Sequence, residues 1–83
     1  MSVVVFEVEQ AGCASCAARV RGALEPLGTV DEIAIDEQAD SAAVRLAASP
    51  SLGEVEVNAA LLAVSHGSGH AYRVKPGSWR FQA

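Results

Sequence analysis

The order of strand-like and helix-like segments is the feature that most constrains how this chain folds. Residues 3–9 are rich in Val, which predicts a strand. Residues 14–26 repeat apolar side chains at the period of about 3.6 residues that an α-helix has, and a Pro and a Gly end the segment. Residues 30–36 and 42–47 then alternate as two strands, which are joined by a polar turn at 36–40.

The second half of the chain predicts one more helix and one more strand. Ser51 and Glu54 have the spacing of a capping box, so we expect the helix to begin after Ser51. Its apolar stripe consists of Val57, Ala60, Leu61 and Val64. A Gly- and Ser-rich loop follows, and residues 71–75 then alternate as a strand with Tyr72 and Val74 facing inward.

The resulting order β-α-β-β-α-β predicts an α+β fold of the ferredoxin-like type. Such a fold has a four-stranded antiparallel sheet with both helices on one face. The chain has 83 residues, which is the size of one domain. We place that domain at residues 1–76 and a C-terminal tail at 77–83. The tail carries Trp79 and Phe81, and the pattern leaves open whether it packs on the sheet or is mobile.

Charge and hydropathy argue against several classes of function. The net charge is −4 and the six basic residues are spread out, whereas nucleic-acid binding needs clustered Lys and Arg. No apolar run approaches the roughly 20 residues of a membrane span, and the N-terminus lacks a signal-peptide pattern. We therefore expect a cytoplasmic protein with no nucleic-acid partner and no direct membrane insertion.

Nothing in the sequence predicts an enzyme. Ser15 lacks a His and Asp partner in an enzyme-like order, so nucleophilic catalysis is not expected there. The Gly67–Gly69 segment is too short for a phosphate-binding loop and does not precede a helix. We predict no catalytic residue.

The chain has two cysteines, Cys13 and Cys16, at the junction between the first strand and the first helix. Two thiolates one helical turn apart can face the same point, and thiolates are soft ligands that select Cu(I), zinc and related metals. The positive end of a helix favours the thiolate form that binds metal. Two ligands suit an accessible Cu(I) ion, since a structural zinc site is closed by four ligands.

Other functions of the cysteine pair stay open at this point. The pair could be a redox dithiol of a thiol–disulfide protein, or it could be incidental in a protein-interaction module. In a reducing compartment a structural disulfide is less expected than either metal binding or redox chemistry. A redox protein would turn over with a partner and have no tight metal affinity.

The element order, with Cys-Ala-Ser-Cys before the first helix, resembles the heavy-metal-associated domain family over about residues 3–74. The family motif is Gly-Met-Thr-Cys-x-x-Cys, and this chain has Gln10, Ala11 and Gly12 before the first cysteine. Further positions that the family fills with similar residues are Val20, Leu24, Leu27, Gly28, Val30, Ile35 and Val44. The motif Met packs beneath the binding loop, so Ala11 predicts a smaller support for this loop.

The resemblance implies a function in heavy-metal transport, because the family includes cytosolic copper chaperones and metal-binding domains of P-type metal ATPases. It implies that Cys13 and Cys16 bind Cu(I) and pass it by thiolate exchange to a partner cysteine pair, in a P-type metal ATPase or another metal-transfer protein. Two such sites sharing one ion would form a metal-bridged dimer. A Zn(II), Cd or Hg member is the alternative, but zinc-type members carry a carboxylate where Gly12 stands.

The chain has two histidines, of which His70 is the stronger candidate for a metal ligand. His70 follows Gly69 in the loop after the second helix, and this fold places that loop beside the cysteines. His70 is therefore predicted as a third metal ligand or a proton-sensitive modulator, with an exposed loop histidine as the alternative. His66 is expected at the C-terminus of the second helix, where a partly charged imidazole is favourable.

The remaining charged residues are expected to lie away from the metal. The acidic turn at 36–40 is predicted to be solvated and far from the cysteines. Arg19 and Arg21 are predicted at the surface beside the site, where they would orient a negatively charged partner or offset thiolate charge.

Overall fold

The computed structural model describes residues 2–82 and contains five strands and two helices in that range. Met1 and Ala83, the outermost residues of the predicted domain and tail, lie outside the described residues. The elements are β1 (Ser2–Glu9), α1 (Ala14–Leu24), β2 (Gly28–Asp36), β3 (Ser41–Ala48), α2 (Glu54–Ser65), β4 (Arg73–Val74) and β5 (Arg80–Gln82). Neither helix in residues 2–82 is long and apolar enough to cross a bilayer.

The strands form one antiparallel sheet in the order β2-β3-β1-β4, and β5 also pairs with β1. In the β1–β3 register Phe6 lies opposite Val44, and Val8 lies opposite Ala42. These side chains are buried and share one face of the sheet, because strand residues two apart point the same way. The predicted ferredoxin-like fold is confirmed.

Both helices pack on this buried face of the sheet. The helix periodicity places Val20 and Leu24 of α1, and Val57 and Leu61 of α2, in the same core cluster as the β1 and β3 side chains. Leu24 and Leu61 are fully buried, and burial of each such side chain stabilises the fold by about 1.5–3 kcal/mol. The core contains mostly Val, Leu and Ala, as the low aromatic content requires.

The start of α2 differs from the prediction. Gly53 is the N-cap residue, and the side chain of Glu56 accepts the Gly53 backbone N–H at 3.0 Å. The capping box predicted for Ser51 and Glu54 is wrong, because Glu54 is already the first helical residue. The Ser51 hydroxyl instead contacts the Ser49 hydroxyl at 2.8 Å, within the turn that precedes the helix.

The last predicted strand is shorter than expected, and a further strand follows it. Only Arg73–Val74 forms β4, although Tyr72 and Val74 are buried as predicted. The chain then leaves the sheet and returns as β5, with a register shifted by three residues relative to β4. The hydroxyl of Ser78 accepts the Glu7 N–H at 3.1 Å. It takes the place of a backbone carbonyl of a neighbouring strand, in the segment where the chain leaves the sheet between β4 and β5.

The C-terminal segment therefore packs on the sheet. Trp79 stacks on Phe6 of β1 with ring centroids 5.2 Å apart. The ring of Phe81 is nearly perpendicular to that of Trp79, with ring centroids 6.3 Å apart. Trp79 is partly buried against the core, whereas Phe81 remains 53% exposed. The two aromatic side chains thus contribute unequally to the fold.

We predict that Trp79→Ala lowers the free energy of unfolding by about 2 kcal/mol, because it removes buried apolar area and an aromatic pair. Phe81→Ala is the matched control and should lower it by less than about 1 kcal/mol, since that ring is half solvated. Urea unfolding followed by circular dichroism measures both. Equal losses in the two variants would contradict the packing role of Trp79.

Candidate metal centre

Cys13 is the N-cap residue of α1. Its backbone is extended, with φ −130° and ψ 161°, and its Sγ atom accepts the Cys16 N–H at 3.3 Å. A side-chain acceptor at this position satisfies a backbone donor that the helix leaves free. The same donor and the positive end of the helix favour a negatively charged sulfur at Cys13.

Cys16 lies in the first turn of α1 and is fully buried, whereas Cys13 is partly exposed. The Cα atoms of the two cysteines are 5.1 Å apart, and the structure joins their sulfur atoms as a disulfide. Metal binding uses the reduced pair, in which the same backbone geometry directs both sulfur atoms to one point. Of the two sulfur atoms, that of Cys13 is therefore the more accessible.

The structure brings His70 to the two cysteines. The sulfur atoms of Cys13 and Cys16 and a ring nitrogen of His70 all lie within 4.8 Å of one another. In the described part of the chain this is the one group of three or more His, Cys, Asp or Glu side chains arranged to hold a metal ion. It contains both predicted cysteine ligands and the predicted histidine, and it contains no carboxylate.

Two serine hydroxyls fix the backbone that carries His70. The Ser68 hydroxyl accepts the His70 N–H at 3.1 Å and donates to the Ser65 carbonyl at 2.7 Å. The Ser65 hydroxyl accepts the Tyr72 N–H at 2.9 Å. This loop begins after α2 at His66, which is the exposed C-cap residue and lies outside the metal cluster.

The cysteine loop is held by Asp40, a residue that the sequence placed far from the site. The Asp40 carbonyl accepts the Ala11 N–H at 3.2 Å, and its carboxylate accepts the Gly12 N–H at 3.2 Å. The prediction was wrong because Ser41 pairs with Glu9, which puts the β2–β3 turn beside the end of β1. The antiparallel pairing of the first and third strands was the signal that pointed to this contact.

Close packing against Asp40 explains the glycine at position 12. A Cβ atom on Gly12 would lie 2.6 Å from the Asp40 Cα atom, a distance that backbone atoms cannot accommodate.

Ala11 is fully buried, so a small side chain fills the place of the motif Met. On the other flank, the Gln10 side chain accepts the Ala71 N–H at 3.0 Å and ties the cysteine loop to the His70 loop.

A model of the heavy-metal-associated domain matches residues 5–66, which is most of the chain. The fold and the cysteine pair are those of a small metal-binding module. The chain belongs to the heavy-metal-associated domain family, whose members bind and transfer heavy-metal ions and are generally not enzymes. The match includes Cys13 and Cys16 and ends before His70. Comparisons with curated proteins and with solved structures give no significant match.

We predict that Gly12→Ala lowers the free energy of unfolding by about 1–3 kcal/mol, because the added methyl group overpacks the contact with Asp40. Gly22→Ala is the matched control. Gly22 lies on the exposed side of α1 with nothing within 4 Å of an added Cβ atom, so this change should stabilise the protein by about 0.5–1 kcal/mol. Opposite signs in urea unfolding are expected, and a neutral Gly12→Ala would refute the close contact.

Proposed function

We propose that this protein binds one Cu(I) ion through reduced Cys13 and Cys16 with His70 as third donor, and transfers the ion to a partner protein. The observation that carries the proposal is the convergence of two sulfur atoms and one imidazole nitrogen within 4.8 Å at the N-terminus of α1. Membership of a heavy-metal-binding family supports the same function.

The chemistry of the donors favours Cu(I) over Zn(II). The two thiolates are soft ligands and the imidazole is a harder one, so the set has three donors, whereas Zn(II) in proteins completes a tetrahedron of four. The cluster holds no carboxylate that would serve as a fourth ligand, and the Asp40 carboxylate is engaged by the Gly12 N–H. Zinc would have to recruit water or a second molecule. This donor set thus supports Zn(II) less well than Cu(I), whereas Cd and Hg, which are also soft ions, stay as alternatives.

Transfer would begin at Cys13. Cys13 is partly exposed, whereas Cys16 is fully buried in the first turn of α1. An incoming thiolate of the partner would bind the ion on the open side as the neutral His70 nitrogen is released, and the Cys13 sulfur would then leave as a thiolate. A second incoming thiolate then replaces Cys16. No change in oxidation state is needed, and the charge of each leaving sulfur is matched by that of an incoming one.

The partner that fits this exchange is a protein with its own accessible cysteine pair. A P-type metal ATPase or another metal-transfer protein has this chemistry, and a second copy of the same chain would give a metal-bridged dimer. We place the protein in the cytoplasm, since a reducing compartment keeps the cysteine pair reduced. In this proposal the chain carries a metal ion and catalyses no reaction.

We predict that the reduced protein binds one Cu(I) per chain and that Cys13→Ser with Cys16→Ser abolishes tight binding. Titration against a chromogenic Cu(I) chelator, with and without excess Zn(II), measures affinity and selectivity. Ala18→Ser is the matched control, because it introduces a serine at an exposed position of α1 outside the metal cluster. Retained tight binding without both cysteines would refute the proposal, and Zn(II) retained against Cu(I) would support the alternative metals.

A comparison of Cu(I) affinity with redox activity in the wild type separates metal transfer from thiol–disulfide chemistry. The structure joins the cysteines as a disulfide, and a redox protein would require this oxidised form of the pair. A redox protein would accelerate reduction of a disulfide-containing substrate by dithiothreitol and bind Cu(I) only weakly. We expect the wild type to bind Cu(I) tightly and to leave the rate of that reduction unchanged.

We further predict that His70→Ala weakens Cu(I) binding by about tenfold, because a neutral nitrogen donor is lost from the ion. His66→Ala is the control for a nearby histidine outside the cluster, and it should leave the affinity unchanged. Competition with the chelator at fixed pH gives both values. Identical affinities in wild type and His70→Ala would make His70 a loop residue without a ligand role.

A further inference from the structure

Tyr72 lies directly behind His70, on the side away from solvent. Its ring is nearly parallel to the imidazole, with centroids 5.7 Å apart and an angle of 12° between the planes. Tyr72 is 2% exposed, and its backbone is fixed by the Ser65 hydroxyl. The imidazole of His70 therefore rests against an aromatic ring that belongs to the core, and this contact limits the directions in which it can point.

The hydroxyl of Tyr72 is in turn held by Arg19. The Arg19 Nη1 atom donates to the Tyr72 hydroxyl at 3.0 Å, a contact between residues 53 apart in sequence. Within residues 2–82 the one ion pair closer than 4 Å joins Arg73 to Glu9, so Arg19 binds a neutral phenol and not a carboxylate. The planar guanidinium is suited to a fixed geometry.

Arg19 connects this contact to the cysteines. It lies on α1 one turn after Cys16, so the helix that positions the buried sulfur also carries the donor to Tyr72. The loop before His70 contains Gly67 and Gly69, both with positive φ, and has few side chains of its own to hold a ring in place. The serine contacts fix the loop backbone, whereas the direction of the His70 ring depends on Tyr72.

We propose that Arg19 and Tyr72 are positioning residues that hold the His70 imidazole at the cysteine pair, and so convert a two-sulfur site into a three-donor site. This inference rests on the proposed function, because it assigns the residues that set the coordination of the same ion. Tyr72 and His70 lie beyond residues 5–66, the part of the chain that the family model matches.

Three substitutions separate positioning from general effects on fold or charge. Tyr72→Phe keeps the buried ring behind His70 and removes only the hydroxyl that Arg19 binds. Arg19→Ala removes the donor. Arg21→Ala removes the same charge from an exposed position on the same helix that makes no side-chain hydrogen bond to Tyr72. Each variant is first shown to be folded by the fluorescence of Trp79, the single Trp of the chain.

The test measures Cu(I) affinity for each variant in the wild type and in the His70→Ala background. Arg19→Ala and Tyr72→Phe should each weaken binding several-fold, and by no more than the roughly tenfold expected for His70→Ala, because groups that orient a metal ligand act through that ligand. Both effects should vanish in the His70→Ala background, and Arg21→Ala should have none. In the metal-free protein, the proton resonances of the His70 ring should lose the ring-current shift from Tyr72 when Arg19 is replaced.

Four outcomes overturn the positioning role: unchanged affinity in both variants, equal losses with and without His70, a loss with Arg21→Ala as large as that with Arg19→Ala, or a His70→Ala protein that binds like the wild type. In the first three cases the proposed function stands as long as binding depends on both cysteines. In the fourth case Cu(I) binding by the cysteines stands, and His70 loses its role as third donor. Tight binding that survives loss of both cysteines overturns the proposed function itself. The two failures are therefore distinguishable in one set of titrations.

Discussion

The antiparallel pairing of β1 with β3 is the constraint on which the rest of the site depends. Because Ser41 lies opposite Glu9, the β2–β3 turn ends beside the loop that leads to the cysteines. Asp40 then binds two successive backbone N–H groups of that loop, and the close approach requires Gly12. A slip of one residue in this register would expose the core face of β1 and detach the cysteine loop at once. Core packing and the site are thus fixed by the same hydrogen-bonded ladder.

The donors reach one point from distant parts of the chain. Cys13 and Cys16 are set by the start of a helix, a local event, whereas His70 arrives only when α2 and β4 have packed on the sheet. The metal cluster is therefore complete only in the folded domain, and an ion bound by all three donors stabilises the fold by mass action. Loss of contacts in the C-terminal segment would remove the third donor and leave the two sulfur atoms in place.

Much of this arrangement follows from sequence because it is encoded locally. Helical periodicity predicted α1, the Val-rich segment predicted β1, and alternation predicted β2 and β3, and the order of elements was enough for the fold. The error at the start of α2 lies where contacts override the local signal, since Gly53 caps the helix and Ser51 belongs to the preceding turn. The packing of the tail, which the sequence left open, comes from the stacking of Trp79 on Phe6, a residue more than 70 positions earlier. The role of Asp40 could not be predicted from composition, because an acidic turn is usually solvated. This turn reaches the cysteine loop only because the pairing of β1 with β3 places it there.

In the proposed three-donor site, a histidine as third donor has a consequence for the charge. Two thiolates and one Cu(I) ion carry a net charge of −1, and a neutral imidazole adds a bond to the ion without changing that charge. A third thiolate would raise the charge to −2 beside the fully buried Cys16, where charge is poorly solvated and expensive to hold. In the proposed exchange, a neutral donor on a loop would leave before either thiolate when a partner sulfur approaches, and thiolate exchange would follow at Cys13. A three-donor set of this kind would combine retention of the ion in the free protein with an open route for exchange.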